Sequence, residues 1–193
     1  MKAVALLLFL FSFQLGMADE IQSAIDEGSA AYGEGQYSQA AAQFELAAQL
    51  LREKSGSKIA EALPEAPEGW TTDGEAEVQA VGAAVMGGMT SASQTYRNDE
   101  GGSVNVRIMS DSPMVGQISM LLNNPAMIQQ MGQKVVKVDG AQGVLSYDKD
   151  SRSGTITGVA NNKFFITIDG SSIEPGVLQE FAGAIDFSLL SQQ

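Results

Sequence analysis

The chain has 193 residues, a formal net charge of -12 and neither histidine nor cysteine. Without these residue types it lacks an imidazole proton shuttle, a Ser-His-Asp triad, a thiolate nucleophile, a disulfide and the usual nitrogen and sulfur ligands of zinc. A surface this acidic repels nucleic acid and anionic lipid. We therefore predict a protein with no catalytic residue, no cofactor and no metal site, and with no nucleic-acid partner.

Residues 1–18 have the pattern of a secretory signal peptide. Lys2 precedes an apolar run that ends at Phe11, and small residues stand where a signal peptidase cleaves before Asp19. The run is too short to predict a membrane span. We expect the mature chain to begin at Asp19 and to be periplasmic or secreted, and the absence of disulfides suits a bacterial periplasm.

Residues 19–62 are predicted to form a helical hairpin, because apolar residues recur at three- and four-residue steps on both sides of Gly35. Ala40 and Ala47 are expected to face the first helix, with Phe44 wedged between the helices or against what lies beyond them. We predict a partner-binding surface on this hairpin. Its members are Tyr32, Tyr37, Phe44, Leu50 and Leu51.

The stretch GEGQYSQAAAQFELAAQLL resembles the turn and second helix of a tetratricopeptide repeat. The residues at the consensus spacing are Gly28, Gly35, Tyr37, Ala40, Phe44 and Ala47. Ala24 replaces the consensus aromatic residue of the first helix, and Arg52 replaces the closing proline. The sequence holds a single copy, and one repeat cannot bury its own apolar face. The resemblance implies that the hairpin packs on the rest of the chain, on a protein partner or on a second copy.

Residues 63–74 have the composition of a Pro/acid linker, and Trp70 is expected to pack in the core of the domain that follows. Residues 75–193 are predicted to form an α+β sandwich, with helices covering a mainly antiparallel sheet. The segment 75–92 fits either a helix or a closely packed strand, because its valines have helical spacing while its glycines oppose a stable helix.

The later elements follow in chain order. Two strands flank a turn at residues 99–102, and the pairs Ser112-Pro113 and Asn124-Pro125 each predict the start of a helix. A meander of strands follows, and Pro175 opens one final helix whose apolar face is expected to extend to Leu189.

This order of elements, together with the P-x-G-W entry that ends at Trp70, resembles a PsbP-type domain over residues 64–190. That fold is used by small extrinsic or periplasmic binding and accessory proteins. The resemblance is one of architecture, and it implies no catalytic residue because members of such a fold do different things.

Methionine provides the most suggestive side-chain chemistry. The five residues concerned are Met109, Met114, Met120, Met127 and Met131. Thioethers are soft ligands that an exported protein can use for Cu(I). Methionine-rich helices also lay a deformable apolar face on a sheet or on a partner, and we predict this second role.

Other polar clusters are interpreted as surface. Residues 148–154 resemble part of a calcium loop but lack the closing carboxylate, so we predict a polar turn. Asp99 and Glu100 are expected to be solvated. A further group is predicted to lie on an outward polar face that an anionic ligand could contact. Its members are Tyr96, Arg97, Arg107 and Lys149.

Together these features predict an exported, non-enzymatic binding or assembly module that acts through contacts with a protein partner or as a homo-oligomer through the hairpin. The alternative is a periplasmic carrier that holds a small ligand in an apolar cavity between sheet and helices. A hydrolase or lyase that uses carboxylates and lysine is a third hypothesis. A carrier requires an enclosed apolar pocket, whereas an assembly module requires an exposed apolar patch on the hairpin.

Overall fold

A computed structural model describes residues 19–80, 89–138 and 141–191 of the chain. The predicted signal peptide, residues 1–18, lies outside the described residues. So does the stretch 81–88, which forms the middle of the segment that fitted either a helix or a strand.

The chain divides into two compact units, Met1–Lys54 and Ser55–Gln193. In the first unit, helix α1 covers residues 19–33 and is followed by helix α2, Tyr37–Ala60, whose last residues belong to the second unit. The turn between them needs the left-handed backbone of Gly35, whose φ is 74°. The predicted helical hairpin is therefore confirmed.

The second unit is built on an eight-stranded sheet, and the whole chain has the predicted α+β class. Its strands are β1 Trp70–Thr72, β2 Glu77–Ala80, β3 Thr90–Asn98, β4 Ser103–Ser110, β5 Lys134–Val138, β6 Ala141–Asp148, β7 Ser153–Ala160 and β8 Phe164–Ser171. Its further helices are α3 Met114–Leu122, α4 Pro125–Gln130, α5 Pro175–Gly183 and α6 Phe187–Leu190. The strand order is β1-β3-β4-β8-β7-β6-β5, β2 also pairs with β3, and every pairing is antiparallel.

The second unit takes in residues from the predicted linker and from the end of the predicted hairpin stretch. β1 begins at Trp70, inside that stretch, because its backbone pairs with the end of β3, Trp70 opposite Asn98. Ile59 and Ala62 come from the stretch that the sequence assigned to the hairpin, yet both are fully buried in the core of the second unit. Local composition carries no signal for such long-range packing.

One face of the sheet carries this core. Val104 and Ile108 alternate inward along β4, and α5, which packs on β7 and β8, adds Leu178 and Phe181 to the same cluster. Gly170 on β8 permits the close approach of α5, because a Cβ there would lie 2.9 Å from Leu178 Cδ2.

Tyr96 corrects one sequence expectation. It was expected on the outward polar face, but it is fully buried, with its ring centroid 4.8 Å from that of Phe181. Its hydroxyl donates a hydrogen bond of 2.6 Å to the Pro64 carbonyl oxygen, and burial raises the pKa of this phenol to about 12. Trp70 lies beside the same cluster, 5.2 Å from the Phe181 ring, where the sequence had placed it.

The C-terminal helix is also different from the expectation. Instead of one helix reaching Leu189, α5 ends at Gly183 and α6 begins after Asp186. The Asp186 carboxylate accepts hydrogen bonds from the backbone amides of Ser188 and Leu189. This cap starts a new helix and explains the break, because it satisfies amide groups that a continuous helix would bond internally.

The opposite face of the sheet is partly covered. α3 packs on β6, β7 and β8, and α4 packs on β5. Val144, Val159 and Phe165 alternate with the core residues of their strands and are buried. Asn124 accepts a hydrogen bond from the Met127 amide at 3.4 Å, which confirms the predicted cap of α4.

Candidate interaction surface

The hairpin brings two of the predicted partner-binding residues into contact. The rings of Tyr32 and Tyr37 meet edge to face across the turn, with centroids 5.9 Å apart. They are 64% and 68% exposed, so these rings contact each other while remaining largely in solvent. A solvent-facing aromatic pair of this kind offers apolar area to a partner at little cost in ordering.

Phe44 connects the two helices. Its ring lies against Gly28 of α1, where an added Cβ would be 2.8 Å from Phe44 Cε1, and the side chain is still 43% exposed. Phe44 therefore packs between the two helices as predicted, but its side chain is only partly buried. Ala40 and Ala47 are buried, as expected for residues that face the first helix.

Tyr37, Phe44 and Leu51 lie on one flank of α2, because seven residues are nearly two helical turns. All three are exposed, and we call them the hairpin flank. Leu50 lies about 100° around the helix from Leu51. It does not belong to the flank.

Leu50 instead lines a groove across the two helices, with a volume of about 300 Å³. Its walls are Glu20, Ser23, Ala24, Glu27, Gln43, Leu46 and Leu50. Leu46 is exposed and was absent from the prediction, although its four-residue spacing from Leu50 could have indicated it. Gln43 Nε2 donates a hydrogen bond of 2.9 Å to the Glu27 carboxylate, which crosses from one helix to the other.

In the acidic turn between β6 and β7, the Asp148 carboxylate is hydrogen-bonded by groups of the turn itself. The backbone amides of Asp150 and Ser151, followed by the Ser151 hydroxyl, hydrogen-bond to the Asp148 carboxylate and lower its pKa. Arg152, with a φ of 48°, stands where a calcium loop would place an oxygen ligand. Within the described ranges no group of three or more Asp or Glu side chains is placed to hold a metal ion.

A small apolar cavity lies between the sheet and the C-terminal helices, with a volume of about 20 Å³. Val136, Ile156, Ile168 and Phe187 are among its walls. This volume has room for about one water molecule and is far below that of an organic ligand. The carrier hypothesis therefore gains no support from this cavity.

An open groove of about 470 Å³ crosses the polar part of the other sheet face. Its groups bond within the sheet: Thr155 Oγ1 donates to Asp169 at 2.7 Å, and Asn105 Nδ2 donates to Thr95 Oγ1 at 2.9 Å. Such mutual satisfaction is typical of a solvated sheet face.

The predicted anion-contacting residues do not converge. Arg97 of β3 forms a salt bridge of 2.8 Å with Asp73. Arg107 of β4 lies opposite Ser93, which is four residues from Arg97 along β3. Lys149 is in the β6–β7 turn. Tyr96 faces the core. These residues form no common site.

Among the helices that the structure describes, none is long and apolar enough to cross a membrane. The fold is thus that of an α+β protein with an N-terminal helical hairpin whose flank exposes aromatic and aliphatic side chains. Comparison with protein-family models, curated proteins and solved structures finds no significant match to this chain.

Proposed function

We propose that this protein is an exported, non-enzymatic binding or assembly module that acts through protein–protein contacts made by its helical hairpin. The partner is another protein or a second copy of the chain. The observation that supports the proposal is the hairpin flank of Tyr37, Phe44 and Leu51, which is continued at the turn by Tyr32 and remains open to solvent.

The energetic argument rests on apolar area. Completely burying a large apolar side chain contributes about 1.5–3 kcal/mol, and each member of the flank retains a substantial part of that contribution for a partner. Exposed apolar patches of this kind mark interaction sites more often than single exposed residues do. The likeness to a single tetratricopeptide repeat, and that of the second unit to a PsbP-type domain, belong to this proposal. The absence of histidine and cysteine from the sequence supports its non-enzymatic character.

Charge on the hairpin helps to distinguish the two kinds of partner. Acidic residues outnumber basic ones in residues 19–54. A second copy would bring the same negative charge, so its binding should strengthen as salt screens the repulsion. A different protein with a basic rim would instead bind less tightly as salt is added.

The experiment uses the mature chain from Asp19, and it compares Leu51→Lys with Gln39→Lys. Both substitutions add one positive charge to α2, but Gln39 is an exposed polar residue outside the flank. Sedimentation velocity over a range of concentrations measures self-association. A photo-cross-linking residue at position 51 or 39, introduced in the native host, measures contact with another protein.

A dimer weakened by Leu51→Lys but not by Gln39→Lys supports self-association through the flank. A discrete cross-linked protein at position 51 and none at position 39 supports a different partner. A chain that stays monomeric and gives no position-51 cross-link refutes the proposed hairpin function.

A further inference from the structure

A second surface, on α3 and α4, carries no charge of its own. No residue between Asp111 and Lys134 carries a charge, although the chain as a whole has a net charge of -12. This stretch includes four of the clustered methionines. They are Met114, Met120, Met127 and Met131. We call these four side chains, together with helices α3 and α4, the methionine surface.

The methionine surface faces solvent. α3 is rich in Met, Leu, Ile and Val, yet none of its residues is buried. Met120 is 77% exposed, and Met127 and Met131 are 50% and 54% exposed. Among the described residues of the second unit, every exposed large apolar side chain except Val78 lies between positions 114 and 135. The sequence predicted that these methionines pack on the sheet or on a partner. Their packing on the sheet is incomplete, since Met120, Met127 and Met131 each keep half or more of their area open.

The surface is nevertheless held in place by its own unit. Ile128 of α4 is fully buried, and Asn124 caps the same helix. Met127 and Met131 are four residues apart, and both side chains are exposed to solvent. α3 packs on three strands of the sheet. A fixed backbone that carries flexible thioether side chains makes a surface that adapts to what it meets.

We infer that the methionine surface is the contact between two copies of this chain. Two acidic proteins repel each other most where their surfaces are charged, so a charge-free surface offers the approach with the least repulsion. The adjoining strand β5 carries two exposed lysines, Lys134 and Lys137, which make this neighbourhood less negative still. A symmetric pair places the same surface on both copies, and deformable methionines pack on one another without a matching shape built in advance.

This inference does not rest on the proposed hairpin function, because the hairpin flank and the methionine surface are separate sets of residues. Either surface can be disabled without touching the other. The two ideas therefore fail independently.

The test is the concentration dependence of sedimentation of the mature chain from Asp19. The variants are Met120→Glu, which charges the centre of the surface, and Met120→Leu, which keeps it apolar. Gln39→Glu adds the same charge at an exposed hairpin position. Since Met120 is 77% exposed, its variants should fold, and far-UV circular dichroism verifies this.

We expect a dimer whose dissociation constant rises by about tenfold or more in Met120→Glu, while Met120→Leu and Gln39→Glu change it far less. Raising the salt from about 0.05 M to about 0.5 M should tighten the wild-type dimer. A monomer at every concentration overturns the inference. A dimer that is insensitive to Met120→Glu and lost in Leu51→Lys also overturns it, and assigns self-association to the hairpin.

A lipid is a further alternative occupant for an apolar, uncharged surface. Flotation with vesicles of zwitterionic phosphatidylcholine tests it on the same variants. Flotation of a monomeric wild type that Met120→Glu abolishes overturns the dimer inference. Absence of flotation, together with a Met120-sensitive dimer, supports it.

Discussion

The contact between Gly28 and Phe44 gives the sharpest test of the hairpin. Truncating a fully buried Phe to Ala removes about 3–5 kcal/mol of stability. The Phe44 side chain is 43% exposed, so we expect Phe44→Ala to lower the free energy of unfolding of the hairpin by only about 2 kcal/mol. Because Phe44 is only partly buried, the expected loss of unfolding free energy is smaller than that for a phenylalanine in a protein core.

Gly28→Ala should behave differently in the two backgrounds. In the wild type, the new Cβ would lie 2.8 Å from Phe44 Cε1, so the ring must shift and lose contact. That loss offsets the gain of about 1 kcal/mol that alanine brings over glycine in a helix. With Phe44→Ala the obstacle is absent, and Gly28→Ala should stabilise the hairpin by the full 1 kcal/mol or so.

The assay is urea unfolding of the wild type and the three variants at a concentration where the chain is monomeric, with far-UV circular dichroism as the helix probe. Fluorescence of Trp70, the only tryptophan, reports the second unit and serves as the internal control. A double-mutant coupling of about 1 kcal/mol is expected. Additive effects of the two substitutions would show that the ring does not rest on Gly28, and would refute the packing on which the flank depends.

Four further outcomes are expected. The pKa of Tyr96 is raised from 10.0 to about 12, so its stabilising contribution is complete below pH 10 and is lost as the pH rises through 12. Urea unfolding between about pH 9 and pH 12 should therefore show a loss about 2 kcal/mol larger in the wild type than in Tyr96→Phe, and parallel pH profiles would contradict this. Ile59→Ala should lower the stability reported by Trp70 by about 3 kcal/mol, because Ile59 is fully buried in the second unit. The fragment 55–193, which lacks the first unit, should keep a cooperative Trp70 transition, and an unfolded fragment would show that the division into two units is wrong. Protein isolated from its native host should have the intact mass of a chain that begins near Asp19. Retention of the first residues on a cytoplasmic protein would remove the basis for export.

Several local elements follow from the sequence alone. The hairpin turn at Gly35 and the start of α4 at Asn124-Pro125 were both predicted correctly. So was the pair of strands around the turn at 99–102. These features depend on residues within a few positions of each other, through backbone preferences and capping hydrogen bonds. Alternation along a strand also follows from sequence, since successive side chains point to opposite faces.

Which of the two faces of a strand is buried depends on long-range packing. Alternation along β3 separates Tyr96 from Arg97 but cannot tell which face meets α5, and only the pairing of β3 with β4 and the packing of Phe181 place Tyr96 in the core. The same limit explains β1, which sits in a proline-rich stretch and forms because Trp70 pairs with a strand end far along the chain.

The candidate surfaces show the same division. The sequence predicted apolar residues on the hairpin and a methionine cluster, yet spacing alone did not separate Leu50, in a groove, from Leu51, on the open flank. Nor did it reveal that Met120 faces solvent while Ile128 is buried. Exposure depends on which neighbours cover a helix: α1 lies beside α2 in the hairpin, and the strands of the sheet lie beside α3 and α4. The residues of both surfaces are therefore visible in the sequence, but their openness is a property of the fold.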